Sequence, residues 1–138
     1  MTARIAVDAS AIVAILNREP EFTRFLGVLD NSEATIGAPT LLEVRIWSLR
    51  QLATAEPLWL THWLRKAGTL IVAFDADLER LAASAYDGYG KGRHPAALNF
   101  GDAMTYAVAI HYDAPLLFKG RDFGKTDVRV HHVSAVGA

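Results

Sequence analysis

Residues 4–18 read RIAVDASAIVAILNR. The first five, RIAVD, form a short β-branched and apolar run that ends on an acid, Asp8, and read as a buried strand; residues 9–18 then carry apolar side chains at helical spacing. Outward from this stretch the alternation repeats. Glu19 and Pro20 break the helix, residues 21–29 resume one with Phe22, Phe25, Leu26 and Leu29 on a shared face, and residues 34–38 (ATIGA) read as a second strand. Residues 39–53 predict a helix in which Leu42, Ile46, Leu49 and Ala53 recur at helical spacing, and residues 57–67 another, started by Pro57 and stopped by Gly68. A strand at 69–74 (TLIVAF), a helix at 76–86 capped by Asp75, and a glycine-rich basic loop at 88–95 follow. Then come a helix at 102–112, a strand at 115–119 (PLLFK), a polar loop at 120–127 and a final strand at 128–133.

The order β-α-α-β-α-α-β-α-α-β-loop-β predicts an α/β fold: a parallel sheet of about five strands flanked by helices, a Rossmann-like three-layer arrangement. No repeat, low-complexity tract or linker interrupts the 138 residues, so residues 1–138 are expected to form one domain. Half of the chain is hydrophobic, enough to bury a core. The absence of cysteine excludes disulfides, thiolate zinc sites and cysteine nucleophiles, and fits a reducing compartment. No run of about 18 apolar residues exists, so no membrane span is expected. The opening residues from Met1 reach Asp8 too soon for a signal peptide, and a cytoplasmic location is the expectation. A net charge of −1 argues against a protein that coats DNA by bulk charge, but not against a small nuclease whose own carboxylates offset its cations.

In open parallel sheets ligands bind beyond the carboxyl ends of the strands, and that is where the acids fall. Asp8 ends the first strand. Glu43 lies in the first turn of the helix after the second strand, and Asp102 begins the helix before PLLFK. Asp122 and Asp127 lie in the loop just after PLLFK. Clustered carboxylates repel one another, and a hard divalent cation relieves that repulsion, since Mg²⁺ prefers oxygen ligands. Two such ions can activate a water and stabilise the leaving oxygen of a phosphodiester without a serine, cysteine or histidine nucleophile. Each acid also has a local reading. Thr40-Leu41-Leu42-Glu43 fits a capping box, Asn99 to Asp102 fits an asparagine cap with an acid in the first turn, and Asp8 fits a strand-to-helix turn.

Four segments in this order, IAVDASAIVAIL, APTLLEVRIW, LNFGDAMTYAVAI and PLLFKGRDFGKTDV, resemble the PIN-domain ribonucleases, specifically the VapC-type toxins of bacterial toxin–antitoxin systems, over nearly the whole chain. The resemblance implies a single PIN domain acting as an endoribonuclease that depends on Mg²⁺ or Mn²⁺, cleaves RNA to leave a 5′-phosphate and a 3′-hydroxyl, and is inhibited by a cognate VapB-like antitoxin. It maps the core acids to Asp8, Glu43 and Asp102 and the fourth acid to Asp122, with Asp127 as the alternative. It also places a small hydroxyl residue, Ser10, two positions after the first acid, where it can orient Asp8 or cap the helix.

Lys91, Arg93, Lys119, Arg121 and Lys125 flank the proposed site in sequence and are candidates for phosphate contacts, Lys119 and Arg121 foremost. The five histidines show no metal-ligand spacing; His131 and His132 fall on the final strand, where neighbours point to opposite faces, and His94 is a loop candidate for substrate contact. Trp47, Trp59 and Trp63 with Leu58, Leu60 and Leu64 read as core, with a groove for an antitoxin helix or a homodimer surface as the sharper reading; Phe22 and Phe25 would extend it. The competing reading is a non-catalytic metal-binding or partner-binding α/β domain. A receiver-like site is disfavoured because Ala9, not a second acid, follows Asp8, and an adhesion-type metal motif because Ile12 stands where its second hydroxyl belongs.

Overall fold

In the strand β1 (Arg4–Val7), Ile5 and Val7 join one hydrophobic cluster while Ala6 joins another. Successive strand residues face opposite sides, so a strand apolar at every position must be covered on both. The computed structural model describes residues 3–136; Met1 and Thr2, the start of the segment read above for a leader, and residues 137–138 lie outside them. The remaining elements are α1 (Ala9–Leu16), α2 (Phe22–Asp30), β2 (Glu33–Gly37), α3 (Ala38–Leu52), α4 (Leu58–Arg65), β3 (Leu70–Val72), α5 (Ala76–Tyr89), α6 (Phe100–His111), β4 (Leu116–Leu117) and α7 (His132–Val136). The sheet runs β3-β2-β1-β4 and every pairing is parallel, with Ile5 opposite Ala34, Ala6 opposite Leu116 and Ile36 opposite Ile71.

Against the Ile5–Val7 side pack Ile12 and Ile15 of α1, Phe25 and Leu29 of α2, Val44 of α3, and Leu60 and Trp63 of α4. Against the Ala6 side pack Ala85 of α5 and Tyr106 and Ala109 of α6, with Phe118, Phe123 and Val128 from the segment after β4. This is the three-layer α/β arrangement expected. Burial of a side chain such as Phe25 or Leu60 contributes about 1.5–3 kcal/mol each, so the layers are held chiefly by these contacts.

The sheet has four strands, not about five. The strand expected at 128–133 shrinks to one parallel bridge, Leu116 to Val130, on the outer edge of β4. Leu116 N–H donates to the Arg129 carbonyl at 2.8 Å and His131 N–H donates to the Leu116 carbonyl at 2.9 Å. β4 is only two residues long and follows Pro115, which has no N–H to extend the ladder. Beyond the bridge the chain turns at once: the Val133 N–H donates to His131 Nδ1 at 3.2 Å and the Ser134 N–H to the His131 carbonyl at 2.9 Å, which opens α7.

Two further expectations change. The apolar stripe on α3 is real, but Leu42, Ile46 and Leu49 face solvent, and the buried side is Thr40, Leu41, Val44 and Ser48. This helix is apolar around most of its circumference, so spacing alone does not select the buried face. The loop after α5 begins at Gly90 rather than Gly88. A Cβ at Gly90 would stand 2.3 Å from the Tyr86 carbonyl oxygen, so glycine is required at that close approach, whereas a Cβ at Gly88 would meet nothing.

Candidate active site

Asp8 follows β1 directly and caps α1, its Oδ2 accepting from the Ser10 N–H at 3.1 Å. Its carboxylate is buried and held from two sides. Ser10 Oγ donates to Oδ2 at 2.6 Å, and Ser10 Oγ in turn accepts from the Lys119 N–H at 2.9 Å, just past β4. Thr105 Oγ1 of α6 donates to Asp8 Oδ1 at 2.7 Å, and Thr40 Oγ1 of α3 lies 3.2 Å from Thr105 Oγ1. The acid at the strand's end is thereby fixed by elements on both sides of the sheet.

Asp102 sits in the first turn of α6. Asn99 Oδ1 accepts from the Asp102 N–H at 2.8 Å and Asp102 Oδ2 accepts from the Asn99 N–H at 3.1 Å, a complete capping box. The local reading of this acid and its place beside the other acids therefore coexist. Burial pushes the Asp102 carboxyl up to about 6, with the charges of Asp8 and Asp122 adding to the rise and the Asn99 N–H opposing it.

Glu43 is different. The capping box expected around it does not form: α3 begins at Ala38 with Gly37 as its cap, so Thr40 lies inside the helix and turns its hydroxyl to Thr105. The Glu43 carboxyl lies against α6 instead. A Cβ on Gly101 would stand 2.7 Å from Glu43 Oε1, so the missing side chain at Gly101 is what admits this carboxylate. Burial raises the Glu43 carboxyl above the ordinary range, and the charges of Asp8 and Asp102 raise it further.

The structure separates the two candidates for the fourth acid. Asp122, exposed before a 3₁₀ turn at Phe123–Lys125, is close enough to act on Asp102 electrostatically. Asp127 instead accepts from the Tyr106 hydroxyl, and burial followed by that bond raises the Tyr106 pKa. Asp8, Glu43, Asp102 and Asp122 thus form one coupled acidic set beyond the carboxyl ends of β1 and β2. Among the described residues, no three metal-binding side chains stand close enough to hold one cation as they are. The donor chemistry nevertheless fits a hard cation: every donor is a carboxylate oxygen, Glu43 and Asp102 are held above their ordinary pKa by burial and like charge, and Gly101 leaves the room that Glu43 uses.

Residues 5–129 match the PIN domain family. The chain belongs to it. Among the relatives of this PIN domain, a protein named Ribonuclease VapC from Mycolicibacterium smegmatis is 41% identical over 93% of this chain and all of that one. Ribonuclease VapC30 of Mycobacterium tuberculosis is 37% identical over 90% of this chain and 95% of its own. Among solved structures, that of Mycobacterium tuberculosis VapC20, described as a sarcin–ricin loop cleaving toxin, superposes with a TM-score of 0.70 at 18% identity, covering 91% of this chain and 98% of that one. VapBC2 from Rickettsia felis, bound to a DNA fragment from its promoter, gives 0.71 at 14% identity, covering 93% and 97%. At those identities the structural likeness establishes the fold.

The basic residues of this PIN domain divide sharply. Lys119, ranked first with Arg121 for phosphate contact, is already ion-paired, with Nζ 2.5 Å from Glu19 Oε1 and 3.3 Å from Glu21 Oε1. Arg93 pairs with Asp87 at 3.1 Å. Arg121 has no ion pair among the described residues and lines a groove with Lys125 and Ser134. His94 is structural: its Nδ1 accepts from the Ala96 N–H at 3.0 Å and its ring meets Tyr89 edge-on. His131 and His132 do not point to opposite faces, because no strand forms there; their rings stack at 4.4 Å.

The core reading of the tryptophan group holds for Trp63 and Leu60, which are buried, and Trp59 stacks on Trp63 at 5.7 Å; Phe25, expected to extend a groove, is buried in the core instead. Leu58, 73% exposed, is not core. Thr105 escaped the sequence reading, and Thr40 enters it only as a helix cap. The available signal was a hydroxyl residue inside the apolar run AMTYAVAI, three positions after Asp102.

Proposed function

We propose that this chain is a divalent-cation-dependent endoribonuclease, the toxin of a VapBC-type toxin–antitoxin pair, formed as one PIN domain over residues 1–138. The observation that carries the reading is the coupled acidic set. Asp8, Glu43, Asp102 and Asp122 come from four separate stretches of chain, and at one edge of a parallel sheet the charges of Asp8 and Asp102 act on Glu43 and those of Asp8 and Asp122 on Asp102. Such an arrangement is unfavourable unless a cation offsets it. The names of relatives up to 41% identical over nearly the full chain support the ribonuclease reading.

Asp8, Glu43 and Asp102, with Asp122 completing the set, would hold Mg²⁺ or Mn²⁺. When bound, the cation supplies Lewis-acid chemistry to a phosphodiester and the water that attacks it. Ser10 and Thr105 hold both oxygens of Asp8 in place: Oδ2 accepts two bonds from Ser10, while Oδ1, with one bond from Thr105, keeps a second lone pair for a ligand. Arg121 and Lys125, beside the same edge, position RNA phosphates. The ion pair to Glu19 and Glu21 turns the Lys119 side chain away from that task, leaving its main-chain N–H to hold Ser10.

The antitoxin partner and a homodimer are part of the same proposal. So is a cytoplasmic location; no helix of the described residues is long and apolar enough to cross a membrane. The test is Asp8→Asn. It retains a carbonyl acceptor for part of the Ser10 and Thr105 network, so the fold survives while cation-dependent RNA cleavage is abolished. Full cleavage by the folded variant would overturn the assignment.

A further inference from the structure

Thr105 and Thr40 are each only 2% exposed, and neither is needed to fill space, since valine has nearly the same shape. A threonine within a helix ordinarily turns its hydroxyl back to a carbonyl one turn earlier. Thr105 instead sends its proton across 97 residues of sequence to Asp8 Oδ1, at 2.7 Å. A hydroxyl has one proton and an ionised carboxylate has none. With the Thr105 proton committed to Asp8, the 3.2 Å contact between Thr40 and Thr105 runs in one direction, Thr40 donating. The result is a buried directional relay, Thr40 to Thr105 to Asp8.

The relay also has a position. Thr105 is three residues after Asp102 on α6, and Thr40 is three residues before Glu43 on α3, so each lies one turn from an acid on the same helix face. The contact of Glu43 with Gly101 and the bond of Thr40 to Thr105 are successive rungs between these two helices. One hydroxyl pair thus sets both the orientation of Asp8 and the relative height of the helices that carry Glu43 and Asp102.

We propose that Thr105, backed by Thr40, is a positioning residue that prearranges the three acids for a divalent cation. This rests on the cation-binding reading of the acidic set. Groups that orient first ligands through hydrogen bonds commonly change cation affinity or activity by about 10–100-fold when removed. Thr105→Val keeps the shape and removes the donor; Thr105→Ser keeps the donor.

The experiment measures Mn²⁺ binding by the loss of the free-ion electron paramagnetic resonance signal, together with kcat and KM for RNA. Thr105→Val should bind Mn²⁺ about tenfold more weakly, with a lower kcat and an unchanged KM, and Thr105→Ser should restore both. Thr40→Val should show the same effect in smaller measure. Leu29→Ala, a buried change on α2, an element that carries none of the relay residues, should lower thermal stability yet keep Mn²⁺ affinity. Wild-type Mn²⁺ affinity in Thr105→Val, beside an Asp8→Asn variant that has lost binding, would overturn the positioning role and leave the nuclease reading intact. Equal weakening by Leu29→Ala would reduce Thr105 to general packing. Undiminished Mn²⁺ binding by Asp8→Asn would remove the cation site itself, and the relay's role with it.

Discussion

Asp102→Asn should make the cation-free protein more stable while ending its activity. Asp102 keeps its proton up to about 6, whereas an unfolded aspartate releases it near 3.8. The folded state therefore binds this proton more tightly than the unfolded state. The stability so gained is complete below the lower value and is lost as pH rises through the higher one. A rise of about two units at 1.36 kcal/mol each sets an upper bound of roughly 3 kcal/mol. Solvent and salt screening at a partly exposed carboxyl reduce this to about 1–2 kcal/mol. Losing the negative charge at the start of α6 returns about 0.3–1 kcal/mol.

The net expectation at pH 7.5 is a gain of about 1 kcal/mol, or roughly 3 °C in Tm for a chain of this size. Thermal unfolding in a chelating buffer measures it, and the difference between the two proteins should shrink or reverse at pH 4, where the wild-type carboxyl is largely neutral. Adding Mn²⁺ should reverse the order at pH 7.5, because only the wild type gains from binding. An Asp102→Asn variant that melts at or below the wild type at pH 7.5 without cation would refute the claim that this carboxylate is held against its preference.

Gly101→Ala should strengthen α6 by about 0.5–1 kcal/mol through helix propensity. It should also weaken Mn²⁺ binding, because the new methyl would stand 2.7 Å from Glu43 Oε1 and push it aside; calorimetric titration with Mn²⁺ beside a melting curve reads both. Asp122→Asn should lower RNA cleavage with little effect on stability. Asp127→Ala should do the reverse, costing about 1–3 kcal/mol by stranding the Tyr106 hydroxyl while cleavage persists, as denaturant titration and a cleavage assay would record. Arg121→Ala should raise KM for RNA more than Lys119→Ala does, since Lys119 is already engaged by two glutamates; steady-state kinetics at low salt, where phosphate contacts count most, is the measurement.

The elements that could be read from sequence are those whose cause is local. RIAVD followed by a helical run specifies a buried strand entering a helix, and Asp75 and Asn99 cap the helices that their chemistry suggests. The acids are visible as acids at the ends of elements that a parallel sheet gathers at one edge; which of them form the core set came from the family resemblance, and their electrostatic effect on one another from the fold. What was illegible depends on partners distant in sequence. VRVHHV has strand character, but a strand forms only to the extent that its neighbour offers a ladder, and β4 offered one pair. Lys119 looked available until Glu19, 100 residues earlier, was placed against it. Thr105 stands within an apolar helix, and nothing in its own segment reveals a bond to Asp8.

The span of those bonds has a consequence during synthesis. Asp8 leaves the ribosome 97 residues before Thr105, one of the groups that fix it, and earlier still than the main chain at Lys119 that holds Ser10. A nascent chain truncated before residue 119 cannot hold its first acid in register with the others. Whatever chemistry this edge of the sheet performs is therefore withheld until residue 119 has been made, an interval in which a newly made inhibitor can be waiting.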